Sequence, residues 1–275
     1  MGLIIAVANQ KGGVGKTATS VNIGASLALD GFRVLLIDLD SQGSATSGVG
    51  EEHSRGQSSY EVLIGEISAS SAARVTAIPG LSIIPGTRDL AGAEVELVSY
   101  ADRHSRLRGQ LAPVRDAYDY ILIDCPPSLG MLTLNALCAA DAVLVPLQCE
   151  FYALEGLGAL VETLERVRSG FHPDLRILGI LLTMYDGRTS LSRQVAREVR
   201  QHFVDKVLRA MVPRNVRISE SPSYGLPVVT YDPTSLGAVA YRAAAREIAE
   251  MTKPVVPGEA APSVATEEND ETAPG

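Results

Sequence analysis

The segment Lys11-Gly-Gly-Val-Gly-Lys-Thr17 constrains this chain more than any other. It follows an apolar run, Leu3-Ile4-Ile5-Ala6-Val7-Ala8. It precedes a helical pattern that sets Val21, Ala25, Ala28 and Leu29 at i, i+4, i+7 and i+8, one face of a helix closed by Gly31. Strand, Gly-rich loop and helix in that order form a cradle for phosphate. Gly12, Gly13, Val14 and Gly15 offer backbone N–H groups, and the helix start at Lys16, Thr17 and Ala18 adds more amides and a partial positive charge. Lys16 is placed to reach terminal phosphates, and the Thr17 hydroxyl to ligate Mg²⁺. The strict pattern G-x-x-x-x-G-K-[ST] is not met, because Gln10 stands at its first glycine; a second lysine, Lys11, opens the loop instead.

Strand-like runs alternate with helical patterns along the rest of the chain. After the first unit, strands are expected at Arg33–Asp38, Leu81–Pro85, Tyr120–Asp124, Ala142–Leu147, Arg176–Thr183 and Val207–Val212. Helices are expected at Ser58–Gly65, Arg88–Tyr100, Asp102–Ala117, Leu129–Ala140, Ala153–Ser169, Ser190–Phe203 and Thr234–Met251. Asp40–Gly48 reads as a loop, and residues 51–80 carry few strong signals. This alternation predicts an α/β fold: a mainly parallel, twisted sheet with helices on both faces. One domain over residues 1–253 is expected, followed by a Pro/Ala/Glu-rich, disordered tail over 254–275.

No apolar run reaches the ~18 residues of a membrane span, and the N-terminus opens directly on a strand. The expectation is a soluble cytosolic protein. Cys125, Cys138 and Cys149 show neither disulfide nor zinc spacing and read as small apolar residues. The net charge of −8 is uneven. The tail holds five acids and no base, so the rest carries −3, and Arg188–Arg217 is locally +6. An acidic total therefore does not exclude a nucleic-acid surface.

Three acids stand at or just past strand ends, where ligands gather in open parallel sheets: Asp38, Asp40 and Asp124. Asp124 is expected to hold Mg²⁺ directly or through water, with Asp38 behind it. Asp40 is expected to orient an attacking water. Pro126–Gly130 and Asp40–Gly48 become the two loops that sense the last phosphate.

Lys11–Thr17, Asp38-Leu-Asp40 with Gln42-Gly43, Ile123-Asp-Cys-Pro-Pro-Ser128, Gln148–Gly156 and Pro213-Arg-Asn-Val-Arg217 together resemble the ParA/Soj chromosome-partitioning ATPases, from about residue 2 to 251. The resemblance implies a P-loop NTPase of deviant Walker A type with weak intrinsic ATPase activity and ATP and Mg²⁺ as cofactors. It implies a homodimer sandwiching ATP, in which Lys11 reaches the partner's phosphates and Asp40 serves hydrolysis. Pro213 and Asn215 match positions near the adenine; Arg188 and Arg217 match DNA contacts. Further implications are non-specific binding to double-stranded DNA, stimulation by a ParB-type partner, and a cytoplasmic, nucleoid-associated location. Two positions depart from the family: Ala18 replaces a usual Thr, and Ser41 a usual Pro.

Arg193, Arg197 and Arg200 share one face of the helix Ser190–Phe203, either as a further basic surface or as a solvated face with salt bridges. A MinD-like membrane ATPase would need a basic amphipathic C-terminal helix, where this sequence is acidic and Pro-rich. An iron–sulfur reductase would need cysteines in Gly-rich ligand loops, which Cys125 and Cys138 lack. A nucleotide-gated scaffold with little turnover is separated from an ATPase by phosphate release. A metabolic kinase would need a second substrate motif.

Overall fold

The computed structural model describes residues 1–53 and 55–253; the expected acidic tail lies outside the described residues. Eight strands form one sheet: β1 (Leu3–Val7), β2 (Val34–Asp38), β3 (Arg74–Val75), β4 (Leu81–Ile84), β5 (Tyr120–Asp124), β6 (Ala142–Gln148), β7 (Arg176–Tyr185) and β8 (Val207–Pro213). Their order is β3-β4-β2-β5-β1-β6-β7-β8, parallel throughout except for β3, which runs antiparallel to β4.

The central strands are buried on both faces, and their side chains alternate between two cores. Ile4, Ala6, Leu35, Ile37, Ile121 and Ile123 face one core. Ile5, Val7, Val34, Leu36, Tyr120 and Leu122 face the other. Helices Lys16–Leu29 and Leu236–Met251 cover the second face. Helices Leu90–Glu96, Arg106–Leu111, Met131–Ala139, Ala153–Gly170 and Ser190–His202 cover the first.

Helix Lys16–Leu29 is buried on almost every side from Thr19 to Ala28, so the expected single apolar face is too narrow. Small residues make this possible: a Cβ on Gly24 would already lie 3.2 Å from Leu122 Cδ1. Leu29 is exposed, not core, because the helix ends there. Gly31, at φ +97°, closes it: the Gly31 and Phe32 amides donate to the Ala28 and Leu27 carbonyls.

Other expectations shift locally. Ser44–Gly48, read as loop, is a short helix started by Gly43 at φ +62°. The expected helix Asp102–Ala117 begins only at Arg106 and tightens to a 3₁₀ turn at Ala112–Ala117, where Pro113 lacks an amide to donate. The helix expected at Ser58–Gly65 forms as Ser59–Ile64, and the weak-signal stretch 51–80 also contains β3 and helix Ala69–Ala72. At the β8 edge, the Glu247 carboxylate accepts from the Arg209 and Ala210 amides at 2.8 and 3.1 Å.

Gly80 packs against the end of helix Lys16–Leu29 at φ +81°, where a Cβ would lie 2.9 Å from the Phe32 carbonyl oxygen. Gly31 has open space around it. Gly31→Ala should cost about 1–2 kcal/mol, from backbone conformation alone. Gly80→Ala adds a steric clash and should cost about 2–4 kcal/mol in urea unfolding. Equal losses would show that the contact at Gly80 is relaxed without cost.

Candidate functional site

The carboxyl ends of β2, β5 and β1 lie side by side, and their register brings the chemistry together. Asp38 is level with Asp124, and Val7 with Asp124 on the other side. The chain leaving β1 turns through the loop Asn9–Gly15, with Gly13 at φ +75° and Gly15 at φ +88°, conformations that disfavour side chains. No side chain caps helix Lys16–Leu29, and its first intrahelical bond is Thr19 N–H to the Gly15 carbonyl. The amides of Lys16, Thr17 and Ala18 are therefore free for an anion.

Two polar residues that sequence reasoning missed hold this loop. Asn9 donates from its amide to the Pro146 carbonyl at 2.7 Å and accepts from Lys11 N–H at 3.0 Å. Thr183 donates its hydroxyl to the Val14 carbonyl at 2.8 Å. Both hydrogen bonds tie the loop to strands on the β6–β7 side. Their partners lie 137 and 169 residues away, so no local pattern marks them.

Lys16 is buried, its ammonium donating to the Lys11 carbonyl at 3.0 Å. Burial lowers its pKa, opposed by the carboxylates of Asp124 and Asp40. Asp124 is fully buried, and its Oδ1 accepts from the Ser20 hydroxyl at 2.7 Å. Its Oδ2 is also buried but has no hydrogen-bond partner. Burial, then the nearby Asp38 charge, pushes the Asp124 carboxyl up to about 7, while the Ser20 hydrogen bond and the Thr17 hydroxyl, near but without hydrogen-bond geometry, pull it down. Asp38 is raised mainly by burial. Its Oδ2 accepts from the Thr46 amide and hydroxyl, both at 2.8 Å, and its Oδ1 from the Asp40 amide at 3.1 Å. Asp38 therefore braces the loop that carries Asp40, whereas Asp124 keeps an oxygen free.

A cavity of about 420 Å³ opens over these groups, lined among others by Gly13, Lys16, Thr17, Asp40 and Pro127. A second cavity of about 150 Å³ adjoins it through Gly15, Ala18 and Ile218, and Pro213 and Asn215 line it. The two cavities suit the phosphate and base ends of one nucleotide. An orphaned carboxylate oxygen beside a threonine hydroxyl suits a small hard cation that takes its other ligands from phosphate and water. Among the described residues no cluster of three or more His, Cys, Asp or Glu side chains forms an all-protein metal cage.

Lys11 pairs with Glu150 of its own chain, the residue that precedes the exposed Phe151 and Tyr152. Arg188 and Arg217 lie past the ends of the adjacent strands β7 and β8. Arg188 pairs with Asp186 at 2.8 Å; Arg217 pairs with Glu220 at 2.9 Å and Asp232 at 3.3 Å. Arg193, Arg197 and Arg200 are exposed along helix Ser190–His202. Arg193 donates to the Gly187 carbonyl, while Glu198 accepts from Gln194 rather than from Arg197. All three cysteines are buried and free, and burial raises their thiols, so they behave as packing residues.

The elevated Asp124 pKa has a consequence for the ligand-free protein. Between its usual value near 4 and about 7, the folded chain keeps a proton that the unfolded chain has lost. Stability from this group must then fall as pH rises through that window. Asp124→Asn should flatten that fall in urea titrations from pH 4 to 7, and should be the more stable protein at pH 8. Parallel curves for both proteins would contradict the assignment.

A family model described as an AAA domain matches residues 2–177. The chain is 53% identical over 250 residues to the sporulation initiation inhibitor protein Soj of Bacillus subtilis, covering 90% of this chain and 99% of that one. It is 54% identical over 248 residues to the chromosome partitioning protein ParA of Caulobacter vibrioides, covering 89% and 93%. A solved structure from Mycobacterium smegmatis, described as cobyrinic acid a,c-diamide synthase with bound ADP and magnesium, superposes with a TM-score of 0.78 at 42% identity, covering 90% and 93%. With that likeness along nearly its whole described length, on a P-loop of deviant Walker A type, the chain belongs to the Soj/ParA family of chromosome-partitioning proteins.

Proposed function

We propose that this chain is an ATP-driven DNA-partitioning switch: residues 1–253 work as one domain that binds ATP with Mg²⁺, pairs with a second copy, and hydrolyses ATP slowly. The observation that carries this reading is the set of three free helix amides and Lys16 at one cavity, with the partnerless Asp124 Oδ2 buried beside Lys16. That arrangement favours a polyphosphate with a divalent cation over any neutral ligand.

Gly12 to Ala18 hold the phosphates through backbone amides, Lys16 adds charge at the terminal phosphates, and Pro213 and Asn215 border the base. Thr17 and Asp124 hold Mg²⁺, which neutralises phosphate oxygens and stabilises the departing diphosphate. Asp38 fixes the Asp40 loop, and Asp40 orients the attacking water. Lys11 exchanges Glu150 for phosphate across the paired copies, a change of partner that couples nucleotide to pairing. Arg188 and Arg217 contact duplex phosphates without reading bases, and pairing doubles those contacts. A ParB-type protein, the partner that the family resemblance implies, is the class that stimulates release, at the nucleoid in the cytoplasm.

The roles separate in a binding and turnover experiment. Lys16→Ala should lose at least about 10-fold in affinity for a fluorescent ATP analogue, because a buried charge-assisted contact goes. Asp40→Ala should bind the analogue normally and release phosphate at less than about a tenth of the wild-type rate. Normal analogue binding by Lys16→Ala would remove the P-loop reading.

The DNA role has its own test. ATP-loaded protein should retard duplexes of any sequence, with affinity falling steeply with salt. Arg188→Glu with Arg217→Glu should abolish the retardation while basal phosphate release is unchanged. Undiminished retardation by the double variant would place the DNA surface elsewhere.

A further inference from the structure

The loop Cys125–Gly130 leaves β5 at Asp124 and enters helix Met131–Ala139. Its Pro127 lines the larger cavity. No side chain of the loop caps that helix: Gly130, at the N-cap position, has none to offer. The cap comes from elsewhere in the chain. Glu94, on helix Leu90–Glu96, accepts from the Met131 amide at 2.6 Å through Oε2 and from the Leu132 amide at 3.4 Å through Oε1. The carboxylate lies so close to Gly130 that a Cβ there would be 2.3 Å from Glu94 Oε1. A carboxylate at a helix N-terminus satisfies free amides and opposes the helix dipole, so this contact fixes where the loop ends.

The segment that carries Glu94 also touches the other loop of the site. Gly86 donates its amide to Thr46 Oγ1 at 2.9 Å, and Thr46 donates to Asp38. The Gly86 carbonyl lies 3.0 Å from His53 Nδ1. A Cβ on Gly86 would be 2.8 Å from Asp38 Cγ and 2.9 Å from the Asp40 carbonyl oxygen. The chain from Gly86 to Glu94 is thus packed on the Asp38–Asp40 loop at one end and bonded to the start of helix Met131–Ala139 at the other.

We infer that Glu94 is a positioning residue for ATP hydrolysis, setting the Cys125–Gly130 loop relative to the loop that carries Asp40. The inference rests on the ATPase reading above. Glu94 touches neither cavity, so its loss leaves the nucleotide contacts intact and misplaces the loop that closes on the last phosphate. Glu94→Ala removes both acceptors. Glu94→Gln keeps one oxygen acceptor at the same reach.

Three measurements on the full chain test this. In steady-state phosphate release with Mg²⁺ and ATP, Glu94→Ala should lower kcat by roughly 10- to 100-fold, as displacement of a positioned group does. Its affinity for a fluorescent ATP analogue should change by less than about twofold, and Glu94→Gln should recover most of the lost rate. Backbone hydrogen exchange without nucleotide should be faster over residues 128–133 in Glu94→Ala and unchanged over residues 11–18. An unchanged kcat, or analogue affinity falling in step with kcat, overturns the inference, as does Glu94→Gln behaving like Glu94→Ala. If the wild type releases no phosphate, the ATPase reading has failed, and the exchange arm still decides whether Glu94 holds the loop.

Discussion

Burying two carboxylates and an ammonium beside one another is costly, and the rest of the structure is arranged to sustain it. Asp38 and Asp124 are level on neighbouring strands with essentially no solvent exposure, and Lys16 lies across from them on the helix start. A one-residue slip of β2 against β5 would turn one carboxylate to the opposite face of the sheet and undo the arrangement. Register is enforced by alternation: every second residue of the central strands is committed to one core or the other. The two acids then meet different fates. Asp38 is saturated by Thr46 and the Asp40 amide, whereas Asp124 is left one bond short. That deficit makes the site receptive to a cation, at the expense of stability in its absence.

The fold was legible wherever the pattern was strong and local. The strand–glycine–helix unit at residues 3–31, the strands ending in Asp38 and Asp124, and the alternation that followed all carried their own signals. The misses have physical causes. Leu29 fitted the helical period but stands at the helix end, where no neighbour covers it. Ser44–Gly48 lacks apolar periodicity, and it is helical because Asp38 and Gly86 hold Thr46 in place. Of the site residues expected from sequence, Lys16, Thr17 and Asp40 border one cavity, and Asp124 is buried beside Lys16 and Thr17. Asn9, Thr183 and Glu94 carried no such signal. Each depends on partners far along the chain, and a polar residue without its partner in view looks like any other.

The basic residues show that charge counted along the chain is not charge available in space. The local +6 between Arg188 and Arg217 shrinks once Asp186, Glu220 and Asp232 are seen against the guanidinium groups. Any anion reaching Arg188 or Arg217 would have to replace a carboxylate already there instead of meeting a bare cation. Exchange of that kind weakens a single contact, so the number of contacts matters more.

The Glu247 cap on β8 bears on how copies of this chain can meet. A parallel sheet ends in a row of amides and carbonyls that would accept a strand from any neighbour, and strands added this way template further addition without limit. At one border Glu247 already occupies the Arg209 and Ala210 amides; at the other, β3 is two residues long and reversed. Growth by main-chain zippering is thereby discouraged at both margins. What remains open to a neighbour is side-chain surface, where contacts are finite in number and can be undone.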